Sequence, residues 1–383
     1  MCHYFESETG RRSARRRQAP ISSTVGTIAR WMTADGAASG IFVRMRIGIL
    51  DVGSQGAHLD VLCLRPGRPV RVLAVVKQPN RLAAALGADG TIAADGVERL
   101  VGSIRGVLRA GRRAGMRDVL AFGTSSIRDA PNRAEVTARI AESCGIELGF
   151  LPGKLDALLT YRGAREWAGP RVRSLFVADI GGGTLELAAG DARGARWAVS
   201  LPLGAGLLTR TRLPGDPPKL EHIERLRTQL ARELAAVRAA RSTPVPEDAV
   251  VLATSKTLAQ LAALTGGRDS RGRPAITRRA LRKHIPRLAG MRWAERARLD
   301  GISTGRAPQI LAGALLAEAV MDEFGLSSLT ICPWALREGI ALTYRLPLDA
   351  AHGDRAARTA LEDKPVAHLV DALGALRVPL GRG

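Results

Sequence analysis

Two short blocks repeat one plan about a domain's length apart in this chain of 383 residues. The first reads Gly48-Ile-Leu-Asp51-Val-Gly53-Ser54 and the second Val177-Ala-Asp179-Ile-Gly181-Gly182. Each is an apolar strand that ends on an aspartate and turns through glycine into another strand. Around each block the same order of elements returns: strand runs at Ile47–Asp51, His58–Leu64 and Val70–Val76 precede a helix and a further strand at Asp118–Phe122, while runs at Ser174–Asp179, Thr184–Ala189 and Arg196–Leu201 open the second copy. Val97, Leu100, Val101, Ile104, Val107 and Leu108 fall on one helical face, and Pro131 and Asn132 mark the start of the next helix. An internal duplication explains this economically and predicts two lobes that present their Asp-Gly hairpins to each other across a cleft.

The glycine turns carry the first chemical expectation. Backbone N–H groups in such a turn can converge on a phosphate with no side chain in the way, and a hydroxyl at the end adds a donor. Gly53, Ser54 and Gln55 form one candidate cradle; Gly181, Gly182, Gly183 and Thr184 form the other. Each alone is an ordinary tight turn, and only the repetition with a preceding aspartate points to phosphate. Neither is a Walker loop, because the chain holds no G-x-x-x-x-G-K-[ST]. Asp51, Asp179 and Glu186 beside the turns supply hard oxygen ligands suited to Mg²⁺ or Mn²⁺. The plainer reading of a strand-end aspartate is a cap for turn amides.

Composition narrows the ligand. The formal net charge of +21 attracts polyanions. Aromatic residues make up only 4% and no helix-turn-helix, zinc finger or aromatic-studded basic stripe occurs, which argues against a specific nucleic-acid partner. A basic surface with no particular partner is the bland alternative. Cys2, Cys63, Cys144 and Cys332 form no C-x-x-C pair, so neither zinc nor a disulfide framework is expected. No run approaches roughly 18 uninterrupted apolar residues, the length of a membrane span, and a cytoplasmic protein is expected. Residues 1–44 are arginine-rich without apolar period and read as a disordered or non-native extension. The domain plan is then a first lobe over 45–168, a second over 169–346, and a weakly patterned peripheral tail over 347–383, with a short helix near Val366–Leu376.

Five blocks in order carry a family resemblance: Asp51-Val-Gly-Ser54, Ala121-Phe-Gly-Thr-Ser-Ser-Ile-Arg-Asp-Ala130, Asp179-Ile-Gly-Gly-Gly-Thr-Leu-Glu186, Ser200-Leu-Pro-Leu-Gly204 and Trp334-Ala-Leu-Arg-Glu-Gly339. With Ala253-Thr-Ser-Lys-Thr257, they make the chain resemble the short, two-domain members of the Ppx/GppA exopolyphosphatase and guanosine pentaphosphate phosphohydrolase family. The resemblance implies an α/β, two-lobed actin-like or sugar-kinase-like fold, that is, a duplicated ribonuclease H-like fold with an interdomain cleft. It implies metal-assisted hydrolysis of a terminal phosphoryl group from inorganic polyphosphate or a guanosine polyphosphate. Related proteins often dimerise, so a homodimer is part of the expectation. Arg128 matches the arginine of its block and would offer a planar fork to phosphate; an ion pair with neighbouring Asp129 is its plainer role.

Two departures from the family pattern stand out. Gly153-Lys-Leu-Asp-Ala-Leu-Leu159 occupies the block that supplies a glutamate to position the attacking water, and Asp156 takes that glutamate's place. Losing a methylene withdraws the carboxylate by roughly 1 Å, enough to cost on the order of a hundredfold in rate. The first phosphate loop reads Gly53-Ser-Gln-Gly56 where the family usually has Gly-Ser-Asn-(Ser/Thr). A weak hydrolase follows, and a non-catalytic polyphosphate or guanosine tetraphosphate sensor is the alternative that tolerates both changes. An ATP-using relative of the same fold is a third class, resting only on the segment Val250–Leu264.

Overall fold

Alternation of β-branched and aliphatic residues with short glycine turns builds two sheets that share one strand order. The computed structural model describes residues 44–380 apart from 88, 242–244 and 247, so the expectation of disorder over 1–43 falls outside it. In the first sheet β1 (Met45–Val52) pairs antiparallel with β2 (Gly56–Leu64), which pairs with β3 (Arg71–Pro79), while β4 (Asp118–Gly123) runs parallel to β1 on its other side and also pairs with the two-residue β5 (Gly149–Phe150). The second sheet repeats this with β6 (Ser174–Ile180), β7 (Leu185–Asp191), β8 (Gly194–Leu201) and β9 (Val250–Thr254), and continues through β11 (Ser328–Ile331) to β10 (Ala275–Thr277). An antiparallel meander flanked by a parallel strand, present twice, is the duplicated ribonuclease H-like plan of the actin-like fold.

The helix Ala94–Arg113 covers the first sheet with the apolar face read from the sequence: Leu100, Val101, Ile104 and Val107 are at most 1% exposed. Burial on that scale is worth about 1.5–3 kcal/mol per large aliphatic side chain. In the second lobe the helix Ile310–Glu323 is apolar on nearly every face and lies in the core against the helices Leu220–Ala239 and Arg278–Gly290. Glu318, its interrupting acid, is paired with Arg227 at 3.1 Å and Arg282 at 3.4 Å. The helix Arg133–Cys144 begins after Asn132 as expected, but the Asn132 side chain does not cap it. Its amide instead accepts from Ile92 N at 3.0 Å and donates to Ile92 O at 2.9 Å, tying two loops together.

Two segments sit differently from their place in the sequence. The helix Gly153–Ala168 follows the strands of the first lobe yet packs on β7 and β8 through Ala157, Tyr161 and Ala164. Residues 347–380, expected as a peripheral tail, complete the helix Leu336–Ala351, form helices Arg355–Glu362 and Lys364–Gly374, and end in β12 (Arg377–Pro379), which joins β4 antiparallel. Three residues are too short to show a strand period, and only the open side of β4 makes them one. The helices Gly153–Ala168 and Leu336–Ala351 cross closely because Gly339 leaves room for the Leu159 carbonyl; a Cβ there would overlap it.

Candidate active site

The two glycine loops are built alike, and the likeness extends to their hydrogen bonds. In the first, Gly53 N donates to Gly56 O at 3.1 Å, and the carbonyls of Gly53, Ser54 and Gln55 accept from Asn80 Nδ2, Ala83 N and Asn80 N. In the second, Gly181 N donates to Thr184 O at 2.9 Å, and the carbonyls of Gly181, Gly182 and Gly183 accept from Ala205 N, Leu207 N and Gly204 N. In both loops the carbonyl oxygens, which would repel an anion, are held back by the protein behind. Asn80 does this for the first lobe from a fully buried position. Gly204 and the opening of the helix Ala205–Arg212 do it for the second.

The loops face each other. A Cβ on Gly182 would stand 2.9 Å from Ser54 Oγ, and one on Gly183 would overlap Ser125 Oγ, so these glycines keep the gap between the lobes open to backbone and hydroxyl groups. Ser54 and Ser125 belong to the first lobe and Gly182 and Gly183 to the second. Gln55 also reaches across, its Oε1 lying 2.8 Å from where a Cβ of Gly305 would be.

Sheet register delivers the carboxylates to this gap. Asp51 stands opposite His58, which stands opposite Lys77, giving a row across β1, β2 and β3. Asp179 stands opposite Glu186 and Thr254, and Glu186 opposite Ser200, giving the matching row in the second sheet. Ser200 Oγ donates to Glu186 Oε1 at 2.7 Å and Thr254 Oγ1 donates to Asp179. Asp156, in the first turn of the helix Gly153–Ala168, accepts from Thr160 at 3.3 Å.

Burial and mutual repulsion raise all four acids. Burial first, then Asp179 and Asp51, push the Asp156 carboxyl up to about 7. Burial, then Asp156 and Asp179, hold Glu186 well above its ordinary range. Burial raises Asp179 against the pull of Thr254, and raises Asp51 against the pull of Arg337 and His58. Asp156, Glu186 and Asp179 each feel another of these acids, and Asp51 feels Asp60, against the partial relief that Arg128, Arg306 and Arg337 give. Asp51 Oδ1 is buried without a hydrogen-bond partner, which sets aside the reading of Asp51 as a cap for turn amides. Among the described residues no three His, Cys, Asp or Glu side chains converge into a ready-made metal cage.

Arg128 shows the plainer of its two foreseen parts. It pairs with Asp129 through Nε at 2.9 Å and Nη2 at 3.1 Å, and it also feels the charges of Asp156 and Glu186. Sequence reasoning missed Arg337, although it sits in the quoted Trp334–Gly339 block. Its Nη1 is 2.8 Å from His58 Nδ1 and 3.7 Å from Asp51 Oδ2, and its Nε is 3.0 Å from Asp60 Oδ2. His58 Nε2 in turn is 2.8 Å from Asp60 Oδ1. A lone arginine opening a helix was the signal available; only the fold shows that the opening points at Asp51.

Comparison with known proteins identifies the family and the fold. Residues 64–346 match the Ppx/GppA phosphatase family. The chain is 40% identical over 302 residues to Exopolyphosphatase 1 of Mycobacterium tuberculosis, covering 78% of this chain and 88% of the relative, and 40% identical over 303 residues to Exopolyphosphatase 1 of Mycobacterium leprae, with 78% and 89% covered. Among solved structures, the Ppx/GppA family member of Aquifex aeolicus superposes with a TM-score of 0.65 at 24% identity over 80% of this chain and 99% of that one. An exopolyphosphatase from Cytophaga hutchinsonii gives 0.67 at 21% identity over 79% and 98%. The chain belongs to the Ppx/GppA phosphatase family.

Proposed function

We propose that this protein hydrolyses the terminal phosphoanhydride bond of inorganic polyphosphate. The observation that carries this reading is the pair of facing loops, each with its carbonyls withdrawn and each preceded by an aspartate that is largely shielded from solvent. The 40% identity to proteins named exopolyphosphatase over most of the chain supports the same substrate.

The terminal phosphoryl group lies between Gly53, Ser54 and Gln55 on one side and Gly181, Gly182, Gly183 and Thr184 on the other, with Arg128 leaving Asp129 to take a phosphate oxygen. Asp156 accepts a proton from water, the water oxygen attacks the terminal phosphorus in line, and the bridging P–O bond breaks to release orthophosphate and a chain one unit shorter. An acid held near neutrality can act as such a base at ordinary pH. Asp51, Asp179 and Glu186 suit a hard divalent cation, Mg²⁺ or Mn²⁺: they are oxygen donors, one of their atoms is buried and unpartnered, and each is crowded by another carboxylate. Held there, such a cation would supply charge neutralisation to the phosphate oxygens. Because Asp156 is one methylene shorter than glutamate, turnover is slow.

Substrate identity is tested by phosphate release from polyphosphate and from guanosine pentaphosphate under the same Mg²⁺ concentration. Preference for polyphosphate is expected. Release from guanosine pentaphosphate alone would move the assignment to the other activity of the family's name.

A further inference from the structure

A cavity of about 610 Å³ opens at the far end of the second sheet, away from the acids. That volume falls within the range of small-molecule sites. Its wall is formed by the connection from the helix Gly153–Ala168 into β6, by the entry to β9 and by the loop before β10, which together bring Arg171, Arg173 and Arg271 around one space. None of the three arginines makes an ion pair among the described residues. Asp248 is the one acid of the lining, and it pairs with none of them. Arg273 shows by contrast what a structural arginine does here. Asp269 accepts from its Nε at 2.7 Å and its guanidinium lies over the Trp167 ring at 5.1 Å, so it is bound into the fold. Arg271, two residues earlier, gives Asp269 only its backbone N–H, at 2.9 Å, and its side chain is left to the cavity. Cations set around one space repel each other, and a multiply charged phosphate relieves that repulsion through charge-assisted hydrogen bonds to the planar guanidinium groups.

Three elements keep one end at this cavity and the other at the acids. The helix Gly153–Ala168 has Ala168 in the cavity wall and Asp156 in its first turn, about 18 Å away at the rise of an α-helix. β6 begins at Ser174 in the wall and delivers Asp179 about 17 Å further on, at the rise of a strand. β9 begins at Val250 in the wall and ends at Thr254, which donates to Asp179. An anion that draws the arginines together pulls on the near ends of these elements. Their far ends hold the base and an acid of the proposed cation site, and a placed catalytic group tolerates little displacement.

We propose that this cavity binds a small, multiply charged inorganic phosphate of the size of pyrophosphate, the shortest chain that stepwise removal of terminal phosphates leaves, and that its occupation slows turnover by shifting the helix Gly153–Ala168 and β6. The slowing rests on the hydrolase reading; the binding site does not.

The probe is methylenediphosphonate, which keeps the charge of pyrophosphate but has no phosphoanhydride bond to cleave. kcat for long polyphosphate is measured with and without it, at fixed free Mg²⁺, in the wild type and in the triple variant Arg171→Gln/Arg173→Gln/Arg271→Gln. All three positions are exposed, so folding is retained and is checked by melting temperature. The probe should lower the wild-type kcat about threefold or more, and the variant should keep the wild-type kcat with or without it. Competition in the catalytic cleft raises KM alone, and it does so in both proteins. A wild-type kcat indifferent to the probe, or an equal fall in both proteins, overturns the proposal. If the wild type releases no phosphate, the hydrolase reading fails on its own, and calorimetry with the same probe judges the site: a binding event lost in the variant upholds it, and identical isotherms overturn it.

Discussion

Ser54 Oγ lies 2.9 Å from the position a Cβ of Gly182 would take, so the first phosphate loop and its duplicate in the second lobe meet face to face. This proximity accompanies the repeated plan of the two sheets. Each copy brings one hairpin with its carbonyls tied behind it, and two such hairpins opposed give a gap lined by amides, hydroxyls and acids.

The second loop depends on a residue outside it. Gly204 donates its N–H to Gly183 O, and a Cβ there would overlap the Gly183 backbone and crowd Thr184 N. Backbone cannot swing aside as a side-chain end can. Gly204→Ala should displace the loop by a substantial fraction of an ångström and lower kcat on the order of a hundredfold, with a much smaller change in melting temperature. Kinetics and thermal melting on the same preparation check this; full activity in the variant would show that the loop position is immaterial.

Acid crowding should be visible in stability. An unfolded chain releases the Asp156 proton near pH 4, whereas the folded protein holds it up to about 7 because burial, Asp179 and Asp51 disfavour the anion. The folded state therefore binds more protons in that window, and the stability from this group is full below about pH 4 and is lost as pH rises to about 7. Asp156→Asn removes the loss. Metal-free melts at about pH 8 should show the variant more stable by on the order of 1–3 kcal/mol, towards the lower end because solvent reaches part of the side chain, with no gain at about pH 4. A variant that is less stable at the higher pH contradicts the crowding.

Arg337 connects the far end of the chain to the first lobe's acid. Its guanidinium touches His58 and Asp60 and stands over Asp51. Arg337→Ala should reduce kcat/KM for polyphosphate by roughly 10- to 100-fold, and Arg337→Lys should restore little, because an ammonium lacks the rigid planar fork with which the guanidinium meets His58 and Asp60 at once. Near-complete rescue by lysine would show that bulk charge, not geometry, is what the position supplies.

What the sequence made legible was set by local chemistry. The two Asp-Gly hairpins, the helix face from Val97 to Leu108 and the acids Asp51, Asp179 and Glu186 follow from patterns within a few residues, and the structure brings all of them to one cleft or one core. Relations between distant segments were not legible. Lys77 faces His58, and His58 faces Asp51, only because β1, β2 and β3 pair in one register. Arg337 stands beside Asp51 because the helix Leu336–Ala351 crosses Gly153–Ala168 closely where Gly339 meets Leu159 and Gly163 meets Ala335. Asn132 spends its side chain on Ile92 because a loop partner outcompetes the helix end. The assignment of Gly153–Ala168 to the first lobe by chain order misses that its apolar face fits the second sheet.

Orthophosphate release from polyphosphate by the purified protein tests the central claim most directly. With Mg²⁺ present, the wild type should shorten the chain one unit at a time, Asp156→Asn should lose on the order of a hundredfold or more in rate, and a chelator should stop the reaction until Mg²⁺ is restored. Unimpaired release by Asp156→Asn, or release indifferent to chelation, would contradict an account built on a water-activating acid beside a cation held by Asp51, Asp179 and Glu186.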